Sequence, residues 1–170
     1  MRKGAWLALV AVVSIVLTAC VSPGDAEEEN GTTTEEAKAE VLALYSSAKA
    51  VIATGDWKPR TFWGPCELGE EDGLVQWSLA AQVFVALSEE PDVYGEQISK
   101  QWSDLGLNPE AGPDAVPSNS SYLVSDPPKV SGVRAGGGLT QISISPEVVF
   151  FRAQSRCVPG RLADLEAPQG

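Results

Sequence analysis

The apolar positions of the chain change their spacing several times, and each change marks a predicted element. Over residues 35–53 they recur every three or four residues, which predicts an amphipathic helix with one buried stripe. Thr33 and Glu36 have the spacing of a capping box, in which each side chain satisfies a backbone amide of the first turn. We expect this helix to end before Gly55. Its stripe comprises Val41, Leu44, Tyr45, Ala48, Val51 and Ile52.

A second spacing begins at Leu74, where apolar residues alternate with polar or small ones as far as Leu87. A period of two is typical of a strand with one buried and one exposed side. A helix that begins at Ser78 is the alternative interpretation. One phase of the alternation holds Val75, Trp77, Leu79, Ala81, Val83, Val85 and Leu87, and the other Gln76, Ser78, Ala80, Gln82 and Phe84.

The helical spacing returns over residues 93–105. Asp92 is the predicted N-cap, since a short acidic side chain can accept hydrogen bonds from the first turn. Gly106 is the predicted end of the helix. Glu96 and Lys100 are four residues apart and are expected to pair on its surface.

The C-terminal third has the pattern of short strands. Residues 108–119 are rich in Pro, Gly and Asp and predict a long surface loop. Residues 136–138 are three glycines and predict a hairpin turn. Residues 148–151 are apolar on both sides, which is typical of a strand covered on both faces. The predicted strands are 122–125, 130–135, 139–145 and 148–155, with a short one before Cys66.

This order of elements predicts an α+β fold with two helices packed on one face of an antiparallel sheet of about four strands. The domain is expected to cover residues 35–165, a length that fits a single domain. Residues 166–170 are expected to form a flexible tail.

The first 20 residues have the organisation of an export signal. Arg2 and Lys3 precede an apolar stretch over 5–17, which is too short to span a membrane. The stretch runs into Leu-Thr-Ala-Cys at 17–20, which resembles the lipobox of bacterial lipoproteins. This resemblance implies a signal peptide over 1–19 and a diacylglycerol thioether on Cys20. It places the protein on the extracytoplasmic face of the cell membrane, held there by lipid.

Residues 20–34 are then the lipidated cysteine and a flexible acidic tether, because no large apolar residue follows Val21. Without the signal peptide the chain keeps ten basic and 23 acidic residues, so its net charge falls from −11 to −13. This charge excludes nucleic acid as a partner, since phosphate binding needs clustered Lys and Arg. It also disfavours electrostatic attachment to anionic lipid.

Two further cysteines remain in a chain that is predicted to be exported. An even pair in an oxidising compartment predicts a disulfide between Cys66 and Cys157. The chain has no His, which excludes imidazole-based hydrolases, and two cysteines alone do not make a structural zinc site. The sequence therefore predicts no catalytic residue, no metal site and no cofactor.

The layout beyond the lipobox is also similar to small lipoproteins of high-GC Gram-positive bacteria, a group largely without assigned function. The shared features are Cys-Glu-Leu from Cys66 ahead of a Trp-Ser pair, a helix that ends in Trp-Ser-Asp-Leu-Gly at Gly106, and Ser-Arg-Cys-Val-Pro-Gly over 155–160. The resemblance implies the fold and the compartment, and it carries over no catalytic residue.

Four aromatic residues are the candidates for a binding surface that stacks on a sugar or a partner peptide. The alternative is that the rings beside Cys66 only cover the core. The predicted function is a non-catalytic binding or accessory module of the cell envelope, whose partner is an envelope protein or glycan. The alternative function is a carboxylate-dependent hydrolase acting on cell-wall glycan, which needs two facing acids. The four candidates are Trp57, Phe62, Trp63 and Phe151.

Overall fold

The computed structural model describes residues 32–66, 73–114, 121–128 and 136–165. The signal peptide, most of the tether, the predicted strand 130–135 and the tail 166–170 lie outside these ranges. The helices are α1 (Thr34–Ile52), α2 (Pro91–Asp104) and α3 (Leu162–Leu165). The strands are β1 (Lys58–Pro65), β2 (Leu74–Phe84), β3 (Glu110–Pro113), β4 (Tyr122–Asp126), β5 (Gly137–Ile144), β6 (Val148–Arg156) and β7 (Val158–Pro159).

The described strands form one antiparallel sheet of seven strands. Their spatial order is β1, β2, β6, β5, β4 and β3, and β7 pairs with the start of β2. The α+β class is therefore confirmed, and the stretch from Leu74 is a strand and not the alternative helix. The expected four strands and two helices are too few, since the described residues hold seven and three.

The strands that the sequence did not predict lie where local signals are weak. β3 falls inside the predicted loop 108–119, because Glu-Ala-Gly-Pro has no apolar alternation and becomes a strand only by pairing with β4. β7 is two residues long and depends in the same way on β2. Gly137 and Gly138 belong to β5 and not to the predicted turn.

All three helices lie on the same face of the sheet. Directly paired residues of antiparallel strands point to one face, and Ala81, Phe151 and Ile142 form such a row across β2, β6 and β5. α1 packs over β2 and β6, and α2 packs over β3, β4 and β5. α3 adds Leu162 and Leu165 beside the start of β2. The main core comprises Val41, Leu44, Tyr45, Ala48, Ile52, Trp57, Trp77, Leu79, Ala81, Val83, Ile98, Trp102, Val124, Ile142, Ile144, Val149, Phe151 and Ala153.

Phe151 is the point at which both long helices meet the sheet. Its ring lies 5.4 Å from that of Tyr45 on α1 and 6.1 Å from that of Trp102 on α2, measured between centroids. Trp102 is fully buried, and its indole N–H donates to the carbonyl of Leu44 at 3.3 Å. One aromatic cluster therefore joins β6, α1 and α2.

The predicted capping box of α1 is confirmed. The Glu36 amide donates to the Thr33 hydroxyl at 3.2 Å, and the Thr33 amide donates to the Glu36 carboxylate at 2.8 Å. The bond from the Thr33 amide, with a second from the Thr33 hydroxyl at 3.1 Å, stabilises the ionised carboxylate and lowers the pKa of Glu36 below its ordinary value.

The start of α2 differs from the prediction. Its N-cap is Glu90, and Pro91 occupies the first helical position, where a missing N–H and a preset φ favour proline. Asp92 lies inside the first turn and accepts from the Val93 amide at 2.9 Å.

The expected pair of Glu96 and Lys100 is wrong as well. Lys100 pairs with Asp104, one turn further along α2, at 2.8 Å. Glu96 instead accepts a hydrogen bond from the Tyr122 hydroxyl on β4 at 2.6 Å. The carboxylate stabilises the protonated phenol, and together with partial burial this raises the pKa of Tyr122 to about 12. A charge-assisted bond thus ties α2 to the sheet.

The pKa of Tyr122 predicts a loss of stability in alkali. Because the folded state holds this proton more tightly than the unfolded chain, the contribution is complete below pH 10 and is lost between about pH 10 and 12. Stability measured against pH should fall less steeply in that window in Tyr122→Phe than in the wild type. Burial raises the pKa of Tyr45 as well, so absorbance titration should show one fewer late-titrating phenol in the variant than in the wild type. Equal slopes would contradict the assignment.

The two sides of β6 predict opposite costs for neighbouring substitutions. Phe151→Ala should lower the free energy of unfolding by about 3–5 kcal/mol, because it opens a cavity between both helices and the sheet. Phe150→Ala is the matched control, since it removes the same side chain from the exposed face and should cost less than about 1 kcal/mol. Urea unfolding measures both, and similar losses would show that the second face is also covered.

Candidate functional site

The face of the sheet opposite the helices is the candidate site. Along β2 the outward phase of the alternation is the one with Ser78, Ala80, Gln82 and Phe84, and the register sets residues of β1 and β6 beside them. In the described part of the chain no helix packs on this side. We call the area formed by β1, β2 and β6 the exposed sheet face. Its residues are Lys58, Arg60, Phe62, Ala80, Gln82, Phe84, Phe150, Arg152 and Gln154, while Ser78 on the same side is buried.

Three of the four phenylalanines of the chain lie on the exposed sheet face. Phe62 is 60% exposed, Phe84 is 73% exposed and Phe150 is 42% exposed. Phe62 stands opposite Ser78 on the next strand. Its ring leans toward Gly64, where a Cβ would lie only 3.7 Å from the ring edge. A methyl group at Gly64 would be in ordinary van der Waals contact with this ring, so the ring lies along the sheet over Gly64.

Phe84 and Phe150 are diagonal neighbours. Phe84 pairs with Val148 and Phe150 pairs with Gln82, so the two aromatic residues are one strand and two positions apart. Diagonal pairs on one face of a sheet are roughly 7–8 Å apart between Cα atoms, within reach of aromatic side chains. They form an apolar end to the exposed sheet face.

Basic side chains stand between these aromatic residues. Arg60 on β1 and Arg152 on β6 both pair with Ala80 on β2, so the two arginines flank one methyl group. Lys58 lies two positions before Arg60 on β1, on the same face, but forms an ion pair with Asp56. Arg60 has no ion pair with a described residue.

Arg152 is held by a chain of hydrogen bonds that crosses three strands. Its Nε donates to the Gln141 side-chain oxygen at 2.6 Å, and Gln141 donates to the Ser125 hydroxyl at 3.0 Å. Ser125 donates in turn to the Pro127 carbonyl at 2.5 Å. Gln141 and Ser125 are buried, so this network has a fixed geometry. It orients the guanidinium while its terminal N–H groups have no described partner.

The four aromatic candidates separate into two groups. Trp57 and Phe151 are core residues, 6% and 0% exposed, so neither can form a contact surface. Trp63 is half-buried and packs against the core on the helix side. Phe62 alone lies on the exposed sheet face, because neighbours in a strand point to opposite sides. For the three buried or half-buried rings, the alternative of core cover is the one that the structure favours.

Sequence reasoning missed Phe84 and Arg152. A signal for Phe84 was present, because it is a large apolar residue in the outward phase of the β2 alternation. Phe150 was expected to be covered, since 148–151 are apolar on both sides, but its ring is exposed. Arg60 and Arg152 are 92 positions apart, and only the register of β2 with two partners brings them together.

A cavity of about 540 Å³ lies on the helix side, between α1, the turn after α2 and the adjoining ends of β5 and β6. Val41, Leu44 and Leu107 are among its apolar lining residues, and the glycines at 136–138 leave its floor without side chains. Glu40 is the one acid among the described lining residues, and it pairs with Arg156. This cavity does not offer the two facing carboxyls of the alternative hydrolase.

The described residues contain no group of three or more potential metal ligands. Nor does any helix in the described ranges have the length and apolarity that a membrane crossing requires. Cys20 lies outside these ranges, so its lipidation stays a prediction.

The predicted disulfide between Cys66 and Cys157 is confirmed. The two Cα atoms are 5.7 Å apart, and the bond joins positions 91 residues apart in the chain. Cys66 directly follows β1, and Cys157 stands between β6 and β7. The bond thus fastens the edge strand that carries Arg60 and Phe62 to the strand that carries Phe150 and Arg152.

Comparison with known proteins gives no match, since no family model, no curated protein and no solved structure is significantly similar to this chain. Fold and site together define a small disulfide-linked α+β protein with one open, aromatic and basic sheet face.

We expect a large loss of stability when the disulfide is removed. Cys66→Ala/Cys157→Ala should lower the free energy of unfolding by about 2–5 kcal/mol, because the unfolded chain regains the freedom of a long loop. Urea unfolding without reductant measures this loss. Cys20→Ala is the matched control and should leave the midpoint unchanged, and the reduced wild type should match the double variant. An unchanged midpoint in the double variant would contradict a structural role.

Proposed function

We propose that the protein is a lipid-anchored, extracytoplasmic binding module of the cell envelope. The exposed sheet face is its contact surface. The observation that carries this proposal is that three exposed Phe rings and two arginines, neither with an ion pair to a described residue, share one side of a sheet whose other side is occupied by the core.

The amount of apolar surface supports a binding role. A fully buried Phe removes roughly 150–250 Å² from solvent, so the neighbouring rings of Phe84 and Phe150, 73% and 42% exposed, together present on the order of 170–290 Å² to solvent. Apolar patches of a few hundred Å² on a monomer are often functional.

The chemistry of the face also suits recognition. Its side chains offer ring surfaces, guanidinium donors and the amides of Gln82 and Gln154. These groups stack and donate hydrogen bonds without any change of covalent structure. A flat sheet that is held by a disulfide keeps them at fixed spacing, which lowers the entropy lost on binding.

The proposed anchor rests on the sequence. The Leu-Thr-Ala-Cys tetrapeptide at 17–20 resembles a lipobox, and the described domain begins 12 residues after Cys20. A flexible segment of about 14 residues has a root-mean-square span of about 20 Å. Such a tether would keep the domain near the membrane surface while its sheet face remains free to turn toward a partner.

Photocrosslinking in the native host tests the contact surface. A benzophenone amino acid at Gln82, in the middle of the exposed sheet face, should give adducts with envelope material in intact cells. The matched control is the same amino acid at Ala50, which is exposed on α1, and we expect at least fivefold fewer adducts there. Equal yields at the two positions would overturn the assignment of the face.

The anchor has its own readout in the same cells. Mass spectrometry should find a mature N-terminus at Cys20 that carries diacylglycerol, and Cys20→Ser should release the protein from the membrane fraction. In the released variant the adduct yield at Gln82 should fall, because the tether no longer concentrates the domain at the envelope. An unmodified terminus in the wild type would remove the anchor from the proposal.

A further inference from the structure

We propose that the exposed sheet face binds an anionic glycan, with an acidic substituent held between Arg60 and Arg152 and sugar rings stacked on Phe62 and Phe150. This inference rests on the proposed function and names the ligand class of the same surface.

The two arginines form a notch of suitable width. Both pair directly with Ala80, one from each side. Because neighbouring strands are about 4.8 Å apart, the two arginine Cα atoms are roughly 10 Å apart across β2. Only the Ala80 methyl group fills the space between them. A carboxylate or phosphate above this methyl group can accept hydrogen bonds from both guanidinium groups.

Positive charge at the notch is not compensated by described residues. Lys58 is paired with Asp56, whereas Arg60 has no ion pair and Arg152 uses only its Nε, on the neutral amide of Gln141. The row of paired residues that contains Arg152 also contains one acid, Glu110 on β3. Strands β5 and β4 lie between Glu110 and Arg152. Two cations in a chain of net charge −11 make a local site for an anion.

The aromatic rings stand on either side of the notch. Phe62 is two positions along β1 from Arg60, and Phe150 is two positions along β6 from Arg152. Phe62 therefore pairs with Ser78 and Phe150 pairs with Gln82, which lie on opposite sides of Ala80 along β2. The two rings thus lie on opposite sides of the row that holds the arginines. With about 3.4 Å per residue along a strand, each ring lies roughly 8 Å from the notch along a diagonal line. Phe84 lies on β2 itself, two positions beyond Gln82, and is a diagonal neighbour of Phe150.

This alternation of ring, charge and ring matches an extended acidic glycan. The apolar face of a sugar ring packs on a flat aromatic ring, and its hydroxyls can accept from the amides of Gln82 and Gln154, which have no described hydrogen-bond partner. A bare polyanion would leave the Phe rings unused. A membrane surface is disfavoured by the net charge of the rest of the protein, and nucleic acid by the small number of basic residues.

Binding of defined polymers to the full-length lipoprotein in detergent micelles tests the proposal. Polygalacturonate is the acidic probe, and its fully methyl-esterified form is the neutral control with the same rings. Phosphorylated dextran and plain dextran form a second pair. We expect each acidic polymer to bind at least tenfold more tightly than its neutral partner, with an affinity that falls as salt is raised.

Matched variants identify the residues. Arg60→Gln/Arg152→Gln should weaken binding of the acidic polymers at least tenfold. Lys49→Gln/Arg161→Gln makes the same change of net charge away from the face and should alter the affinity less than twofold. Phe62→Ala should weaken binding at least fivefold. Because Phe62 is exposed, its variant should keep the wild-type unfolding midpoint, which shows that the domain still folds.

Several results would overturn the proposal. These are failure of both acidic glycans to bind, equal binding of the acidic and neutral forms, and equal effects of the two double variants. Inorganic polyphosphate that binds as tightly as the glycans would reveal a simple anion site. Selective binding of phosphatidylglycerol vesicles by Cys20→Ser protein would assign the face to the membrane. If adducts at Gln82 persist while both glycans fail, the ligand class is wrong and the binding function stands.

Discussion

The register of β2 against its neighbours is the constraint on which the rest of the structure depends. β2 is bonded to β1 on one side and to β6 and β7 on the other, and its side chains alternate between the two faces. A slip of one residue would exchange the faces, because the side-chain period is two. Leu79 and Val83 would then meet solvent, while Gln82 and Phe84 would lie under the helices. The large difference in burial between the two phases therefore specifies one register.

Two features outside β2, a disulfide and an aromatic cluster, support this register. The disulfide between Cys66 and Cys157 lies at one end of the strand, where it links β1 to the chain between β6 and β7. The aromatic cluster of Phe151, Tyr45 and Trp102 lies near the middle and anchors both helices to β6. Since β1 and β6 contribute the arginines and most of the rings of the exposed sheet face, the interactions that stabilise the core also set the spacing of the site.

The sequence predicted those features that depend on local periodicity. The capping box at Thr33 and the strand from Leu74 carry their signals within a few residues, and the paired cysteines need only an even count. Local sequence patterns did not predict the structure of segments that depend on a partner far away in the chain. Glu-Ala-Gly-Pro becomes β3 by pairing with β4. Glu96 accepts a hydrogen bond from the Tyr122 hydroxyl and does not pair with Lys100. The notch is the clearest case, because Arg60 and Arg152 become neighbours only through their shared partner Ala80. Phe84, by contrast, can be recognised in the sequence, because it is a large apolar residue in the phase of the β2 alternation that otherwise holds small or polar residues.

The two faces of the sheet separate stability from recognition within the same three strands. On the helix side, large residues are buried and any change of volume is costly. On the other side the middle positions of β2, Ala80 and Gln82, are small or polar, and the larger Arg60, Phe62, Phe150 and Arg152 stand on the neighbouring strands, so the middle of β2 forms a floor between two walls. Such a floor can accept changes at Phe62, Phe84 or Arg60 without loss of the fold, because these side chains take no part in the core. A surface of this kind can change its ligand by substitution of wall residues alone, while Phe151 and the disulfide hold the walls in place.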